Sequence, residues 1–173
     1  MRTPPGLIAM TAGATVSRAP VLVVGVGSPL RSDDAAGRNV AQQLIAADDG
    51  SGGGPGPGTE VLVVHQLAPE LAATMAGRRL VVVVDASVEV SDVRVSEVTA
   101  GASSATFTHH ADLAALVRLT SLLGRPPQRV VTVALPAADL GLGEALSPTA
   151  HAAVAEAVAI VRRLCLDVSR AMR

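Results

Sequence analysis

The first strongly patterned stretch of the chain combines an apolar run, two glycines and two adjacent acids. Residues 21–37 read Val-Leu-Val-Val-Gly-Val-Gly-Ser-Pro-Leu-Arg-Ser-Asp-Asp-Ala-Ala-Gly. The apolar run is too short to span a membrane, and a helical pattern begins at about Asp33. We therefore predict a buried parallel strand, a tight turn and a helix start. Asp33 and Asp34 would then follow the carboxyl end of that strand, which is where ligands bind in open α/β sheets.

Strand-like and helix-like segments alternate along the rest of the chain. Strands are predicted at 20–27, 60–64, 80–87, 93–98 and 129–135, and helices at 33–47, in a short stretch after 65, at 107–123 and at 147–168. Segment 93–98 alternates apolar and polar residues, as a half-exposed edge strand does. Strands that alternate with helices are joined by right-handed crossovers. The predicted fold class is therefore α/β, a single three-layer domain with a mostly parallel, twisted sheet of about five strands and helices on both faces.

The length of 173 residues fits one domain. We expect a flexible N-terminal tail at 1–19, the α/β domain at 20–168 and a short C-terminal tail at 169–173. The Gly/Pro-rich stretch at about 48–59 is predicted to be a flexible surface loop. It is not a domain boundary, because the part of the chain on each side is too small to fold well alone.

Composition narrows the class of function. The chain has one Phe and no Tyr or Trp, so Val, Leu and Ala must supply the core. The net charge is −1 and no basic cluster is present, which argues against a nucleic acid partner. No apolar stretch reaches the roughly 18 residues of a membrane span. The single cysteine, Cys165, cannot form an internal disulfide and is predicted to be a core residue, which is consistent with a cytoplasmic protein.

Polar residues recur at strand ends and helix starts. Asp33 and Asp34 follow the first strand, Asp85 follows four valines of the third, and His109 and His110 stand near the start of a later helix. If the first and third strands are neighbours, the carboxylates face one crevice. Two carboxylates and an imidazole suit a divalent cation such as nickel or zinc. Three protein ligands would leave coordination positions open for water or for a ligand from a partner.

Each of these residues also has a purely structural interpretation. For Asp33 we favour a helix cap or a first-turn carboxylate. Asp34 is a better functional candidate, because capping does not need a second acid. Burial of Asp85 would be costly, so its side chain is expected to point into the crevice. For His109 and His110 the alternative is a solvated helix start.

Five blocks of the sequence, in order, carry a family resemblance. They are residues 25–37, 65–71, 81–86, 108–109 and 140–148, and the match extends from residue 20 to about 166. Together they resemble the hydrogenase maturation endopeptidases, whose first block has the pattern Gly-x-Gly-Asn, an apolar pair, and two acids ahead of Gly. The chain departs from this pattern at Ser28, where Asn is usual, and at Ala35, where Gly is usual. The shorter side chain of Ser28 is expected to leave a turn hydrogen bond unmade.

The resemblance implies an activity and a site. Members of the family remove a C-terminal extension from the large-subunit precursor of nickel–iron hydrogenases after nickel has been inserted. By motif position, the metal-contacting residues would be Asp34, Asp85 and His109, with His110 as the alternative histidine. The nickel belongs to the substrate, so no permanently bound cofactor is expected, and zinc or cadmium would act as surrogates. We expect Asp34 or Asp85 to be catalytic as a general base on water, and the protein to be a monomer.

Two other classes of function fit parts of the sequence. One is a Rossmann-like module that binds a nucleotide or another small ligand. Gly25 and Gly27 lack the third glycine of a dinucleotide fingerprint, and Asp33 and Asp34 would place negative charge where a pyrophosphate sits. The other is a non-catalytic assembly factor that docks on a hydrogenase precursor.

Overall fold

A computed structural model describes residues 18–48, 52–98 and 110–172. Within these residues, five strands form one sheet in the order β2-β1-β3-β5-β4. The strands are β1 Val21–Val26, β2 Thr59–Val64, β3 Leu80–Ser87, β4 Arg94–Glu97 and β5 Arg129–Pro136. All neighbouring pairs are parallel except β4 with β5, which is antiparallel. β4, which corresponds to the predicted half-exposed edge strand, therefore lies at an edge of the sheet, and β1 and β3 are neighbours.

Helices cover both faces of the sheet. They are α1 Ala36–Ala46, α2 Leu71–Met75, α3 His110–Leu122 and α4 Pro148–Arg170. Alternate residues of β3 point to opposite faces, since the side-chain period of a strand is two. Val82 and Val84 pack with α1 and α4, whereas Val81 and Val83 pack with α2 and α3. The predicted three-layer α/β fold is confirmed.

The core is aliphatic, as the composition requires. The two sides of the sheet are filled almost entirely by Val, Leu and Ala, with Met75 on one side and Cys165 on the other. Cys165 is 0% exposed and lies on the buried face of α4, so its predicted place in the core is confirmed. None of the described helices has the length and apolar character needed to cross a membrane.

The first helix differs from its prediction. A 3₁₀ turn, Ser32–Ala35, precedes α1, so regular α-helix begins at Ala36 rather than at Asp33. The backbone of the turn is bonded to a distant loop, because the Ser32 and Asp33 N–H groups donate to the carbonyls of Gly143 and Asp139 at 2.8 and 2.9 Å. These long-range bonds replace the first turn of α-helix that local spacing predicts.

The Gly/Pro-rich stretch is anchored over the part that is described, residues 52–58. Arg162 of α4 donates to the carbonyls of Gly54 and Gly52 at 3.2 and 2.6 Å. Ser169 Oγ lies 3.0 Å from the carbonyl of Pro57 and 3.1 Å from that of Cys165. Residues 52–58 are therefore bonded to the last helix, and that helix continues two residues past the predicted boundary at 168. Residues 1–17, 49–51 and 173 of the predicted tails and loop lie outside the described residues.

Candidate active site

Gly27 allows the 3₁₀ turn to approach the end of β1 closely. Its φ is +139°, which favours glycine, and a Cβ placed there would lie 1.8 Å from the backbone oxygen of Asp34. The turn therefore packs directly on the end of the first strand. The N–H of Ser28 donates to Asp34 Oδ2 at 2.7 Å. This bond fixes a half-buried carboxylate at the carboxyl edge of the sheet.

Gly37 brings the first turn of α1 against both central strands. A Cβ at this position would lie 2.3 Å from the carbonyl oxygen of Val84 and 2.7 Å from that of Val26. Because backbone atoms are on both sides, only glycine allows this approach. Gly27 follows the apolar run and Gly37 follows the acids. Both therefore allow the turn that carries the acids to lie close to β1 and β3.

Asp85 reaches the same edge from β3. Its register with β1 ends at the pair Gly25 and Val84, so Asp85 is the next residue toward the carboxyl end. The side chain is 6% exposed and accepts a hydrogen bond from the N–H of Ala86 at 2.9 Å. The 3₁₀ turn that carries Asp34 contacts β3. The structure therefore places Asp34 and Asp85 on adjoining elements at one edge, as the sequence predicted.

Asp33 has a different task from Asp34. Its side chain is 0% exposed and accepts four hydrogen bonds from the segment that leads into α4. The N–H groups of Ala138 and Asp139 donate to Oδ2 at 2.8 and 3.0 Å. The N–H of Ser147 donates to Oδ1 at 2.6 Å, and the Ser147 hydroxyl donates to Oδ2 at 2.8 Å. Asp33 is thus a buried structural carboxylate and caps neither the 3₁₀ turn nor α1.

The electrostatics of Asp33 follow from this geometry. Burial by itself raises the pKa of a carboxyl group, but the donors on Ser147, Asp139 and Ala138 outweigh it and lower the pKa of Asp33 below its usual value. The group is therefore ionised at neutral pH and saturated with donors. Such a carboxylate is poorly suited to accept a proton from water.

The predicted histidine ligand, His109, lies outside the described residues. Helix α3 begins at His110, and Leu113, one turn further along, packs in the same core as Val83. Asp85 shares the strand face of Val83, since the two are two positions apart along β3. In the described part of the chain, no three His, Cys, Asp or Glu side chains form a group that could hold a metal ion. The choice between His109 and His110 remains a prediction.

The departures from the family pattern leave the turn intact. The Ser28 hydroxyl accepts a hydrogen bond from the N–H of Leu30 at 3.4 Å, so its side chain still makes one bond within the turn, although that bond is long. Ala35 is buried at 4% exposure and completes the 3₁₀ turn.

The local sequence does not predict the hydrogen-bond partners of Asp33. Ser147 was assigned only to the start of the last helix, where its hydroxyl does accept from the N–H of Ala150 at 3.2 Å. Its second role, as a donor to Asp33, joins positions 114 residues apart. No local signal in the sequence indicates this pairing.

Comparisons with known proteins agree with this architecture. No protein-family model matches the chain, and neither does any curated protein. Among solved structures, hydrogenase maturating endopeptidase HybD from E. coli superposes with a TM-score of 0.66 at 23% identity, covering 82% of this chain and 88% of that one. The maturation protease HycI from Thermococcus kodakarensis KOD1 gives a TM-score of 0.64 at 18% identity, covering 87% and 94%. The fold is that of the hydrogenase maturation endopeptidases.

A further maturation protease of this fold, HybD from Thermococcus kodakarensis, gives a TM-score of 0.60 at 21% identity and covers 84% of this chain and 98% of that one. At such identities the likeness establishes architecture, since one fold serves many functions. It confirms the resemblance drawn from the sequence blocks at the level of the fold.

Proposed function

We propose that this protein is an endopeptidase that removes the C-terminal extension from the large-subunit precursor of a nickel–iron hydrogenase. The observation that carries the proposal is the pair Asp34 and Asp85, held on adjoining elements at the carboxyl edge of the sheet. The likeness to solved maturation endopeptidases supports it at the level of the fold.

The nickel is part of the substrate in this proposal. Asp34, Asp85 and His109 would complete the coordination of an ion that the precursor already holds, and no metal would stay on the enzyme after release. Carboxylate oxygens and an imidazole nitrogen are suitable ligands for nickel, and zinc or cadmium would serve as surrogates. Recognition of the ion would make cleavage depend on prior nickel insertion.

The chemical step is hydrolysis of one peptide bond. Asp34 or Asp85 takes a proton from water as the water oxygen attacks the carbonyl carbon, and the negative charge on the carbonyl oxygen would be stabilised by the substrate's nickel or by a hydrogen bond from the neighbouring acid in its protonated form. The C–N bond then breaks, and the leaving nitrogen takes up the proton. Asp33 takes no part in this step, because all its hydrogen bonds are engaged in holding the loop before α4.

The proposed substrate also indicates the cellular compartment and the oligomeric state. Precursor processing after nickel insertion would take place in the cytoplasm, and a monomer suffices because both carboxylates belong to one chain. These points belong to the proposal and depend on the activity.

The test is the intact mass of a hydrogenase large-subunit precursor before and after incubation with the protein. Loss of a single C-terminal peptide from the nickel-loaded form alone is the expected result. Cleavage of the nickel-free form at an equal rate would contradict recognition of the metal. A loaded precursor that is bound but never cleaved would identify a docking factor instead.

A further inference from the structure

A polar depression of about 270 Å³ lies beside the candidate active site. The segment after β1 forms one wall through Pro29 and Leu30, and α1 forms another through Arg38 and Gln42. Glu144, from the loop before α4, closes the third side. The depression thus joins three parts of the chain that the Asp33 bonds hold together.

Two exposed leucines belong to the segments that form this depression, Leu30 in its lining and Leu142 two residues before Glu144. Leu30 is 58% exposed and Leu142 is 93% exposed. Their backbones are adjacent, because the N–H of Gly143 donates to the carbonyl of Leu30 at 3.0 Å and the N–H of Ser32 donates to the carbonyl of Gly143 at 2.8 Å. Exposed leucines next to a polar cleft mark a surface suited to a protein partner.

The chemistry of the lining indicates what binds there. Arg38 supplies guanidinium donors, Glu144 supplies carboxylate acceptors and Gln42 supplies both. In the described part of the chain, neither Arg38 nor Glu144 takes part in an ion pair. Charges of both signs disfavour a simple anion or cation, whereas donors and acceptors together suit the carbonyl and N–H groups of an extended peptide.

Two residues that line the depression also adjoin the candidate active site in the sequence. Ala35 lines it and directly follows Asp34, while Pro29 lines it and directly follows Ser28, whose N–H binds the Asp34 carboxylate. We propose that this depression and the Leu30–Leu142 pair bind an extended segment of the substrate polypeptide, with an apolar side chain on the leucines and its backbone amides on Arg38, Gln42 and Glu144. The inference rests on the proposed function and names the surface that selects the precursor.

The test uses full-length variants and a nickel-loaded large-subunit precursor from the same organism. Leu142→Asp and Leu30→Asp remove the two exposed apolar side chains, and Glu144→Ala removes an acceptor from the depression. Leu122→Asp is the matched control, since Leu122 is 83% exposed and lies at the end of α3 on the other side of the sheet. Melting temperatures verify that each variant is folded. The two readouts are the dissociation constant for the precursor and the separate kcat and KM of cleavage.

Leu142→Asp is expected to weaken binding and raise KM by about tenfold or more, with kcat retained, while Leu122→Asp matches the wild type. Glu144→Ala should shift the same two quantities in the same direction. Wild-type binding and KM for Leu30→Asp, Leu142→Asp and Glu144→Ala, with cleavage intact, would overturn the docking surface and leave the proposed function standing. A wild-type protein that binds the precursor but does not cleave it, with binding lost in Leu142→Asp, would support the docking surface and refute the proposed peptidase activity. Absence of both binding and cleavage in the wild type would contradict both proposals.

Discussion

Asp33 holds Ser147, the N-cap residue of α4, through two hydrogen bonds, with the Ser147 N–H 2.6 Å from Oδ1 and the hydroxyl 2.8 Å from Oδ2. The neighbouring Asp34 instead accepts from the Ser28 N–H within its own turn. Two adjacent acids thus have separate tasks. Asp33 ties the turn to the last helix, and Asp34 lies at the carboxyl edge of the sheet, where the proposed function requires a carboxylate.

Replacement of Asp33 by Asn should destabilise the fold. The amide keeps one acceptor oxygen but loses the charge, and its NH₂ group faces donors from Ser147 or from Ala138 and Asp139. We expect a loss of about 3 kcal/mol in the free energy of unfolding, measured by urea denaturation. The control is Asp92→Asn at an exposed position, which should change the free energy by less than about 0.5 kcal/mol. Equal stability of the two variants would show that the Asp33 bonds contribute little.

The pKa of Asp33 gives this stabilisation a defined dependence on pH. The folded-state pKa is lowered, so the ionised form binds the donors and the folded state releases its proton more readily than the unfolded chain does. The stabilisation is therefore fully present above the unfolded pKa of about 3.9 and is lost as pH falls through the folded value. The difference in unfolding free energy between the wild type and Asp33→Asn should be constant from pH 7 to about pH 5 and shrink below about pH 4. A difference that grows on acidification would contradict this assignment.

Gly37→Ala should separate α1 from the sheet. The added methyl would meet the carbonyl oxygens of Val84 and Val26, which cannot turn aside as a side chain can. We expect a loss of about 3 kcal/mol in the free energy of unfolding and reduced precursor cleavage, because the Asp34 turn moves with the helix. Gly141→Ala is the control for stability, since its methyl meets only the side chain of Asp139, at 3.0 Å. Similar stability losses for both variants would argue against a special role of Gly37.

Cys165 should be inert in the folded protein. Burial raises the pKa of its thiol to about 11, although the nearby Thr59 hydroxyl acts in the opposite direction. At pH 8 the folded protein should not react with a thiol reagent over the time in which the guanidinium-unfolded chain reacts completely. Rapid labelling under native conditions would show that the last helix opens readily or that the thiol is accessible.

The sequence predicted the features that depend on local pattern. Four consecutive valines before Asp85 identify β3, and the glycines after the first apolar run predict the tight turn that leads to the acids. The placement of Asp34 and Asp85 at one edge of the sheet followed from one topological condition, that the first and third strands pair, and the structure meets that condition. The position of His109 relative to them stays a prediction.

Features that depend on contacts between distant segments could not be predicted. The Asp33 carboxylate looked like a helix cap because its partners lie more than a hundred residues away. Arg78 is similar. It is 1% exposed and binds the Glu60 carboxylate and the carbonyl of Thr74, the latter at 2.9 Å, yet nothing in its flanking sequence distinguishes it from a surface arginine.

The most direct test of the account is the rate of precursor cleavage by Asp34→Asn, measured by intact mass with the nickel-loaded precursor in single-turnover conditions. The Asn oxygen can still accept from Ser28, so the turn and the melting temperature should be retained, while the group that ionises is gone. We predict a rate at least about a hundredfold below the wild type, and a comparable loss for Asp85→Asn. Cleavage by folded Asp34→Asn at the wild-type rate would contradict the assignment of Asp34 as a reacting residue.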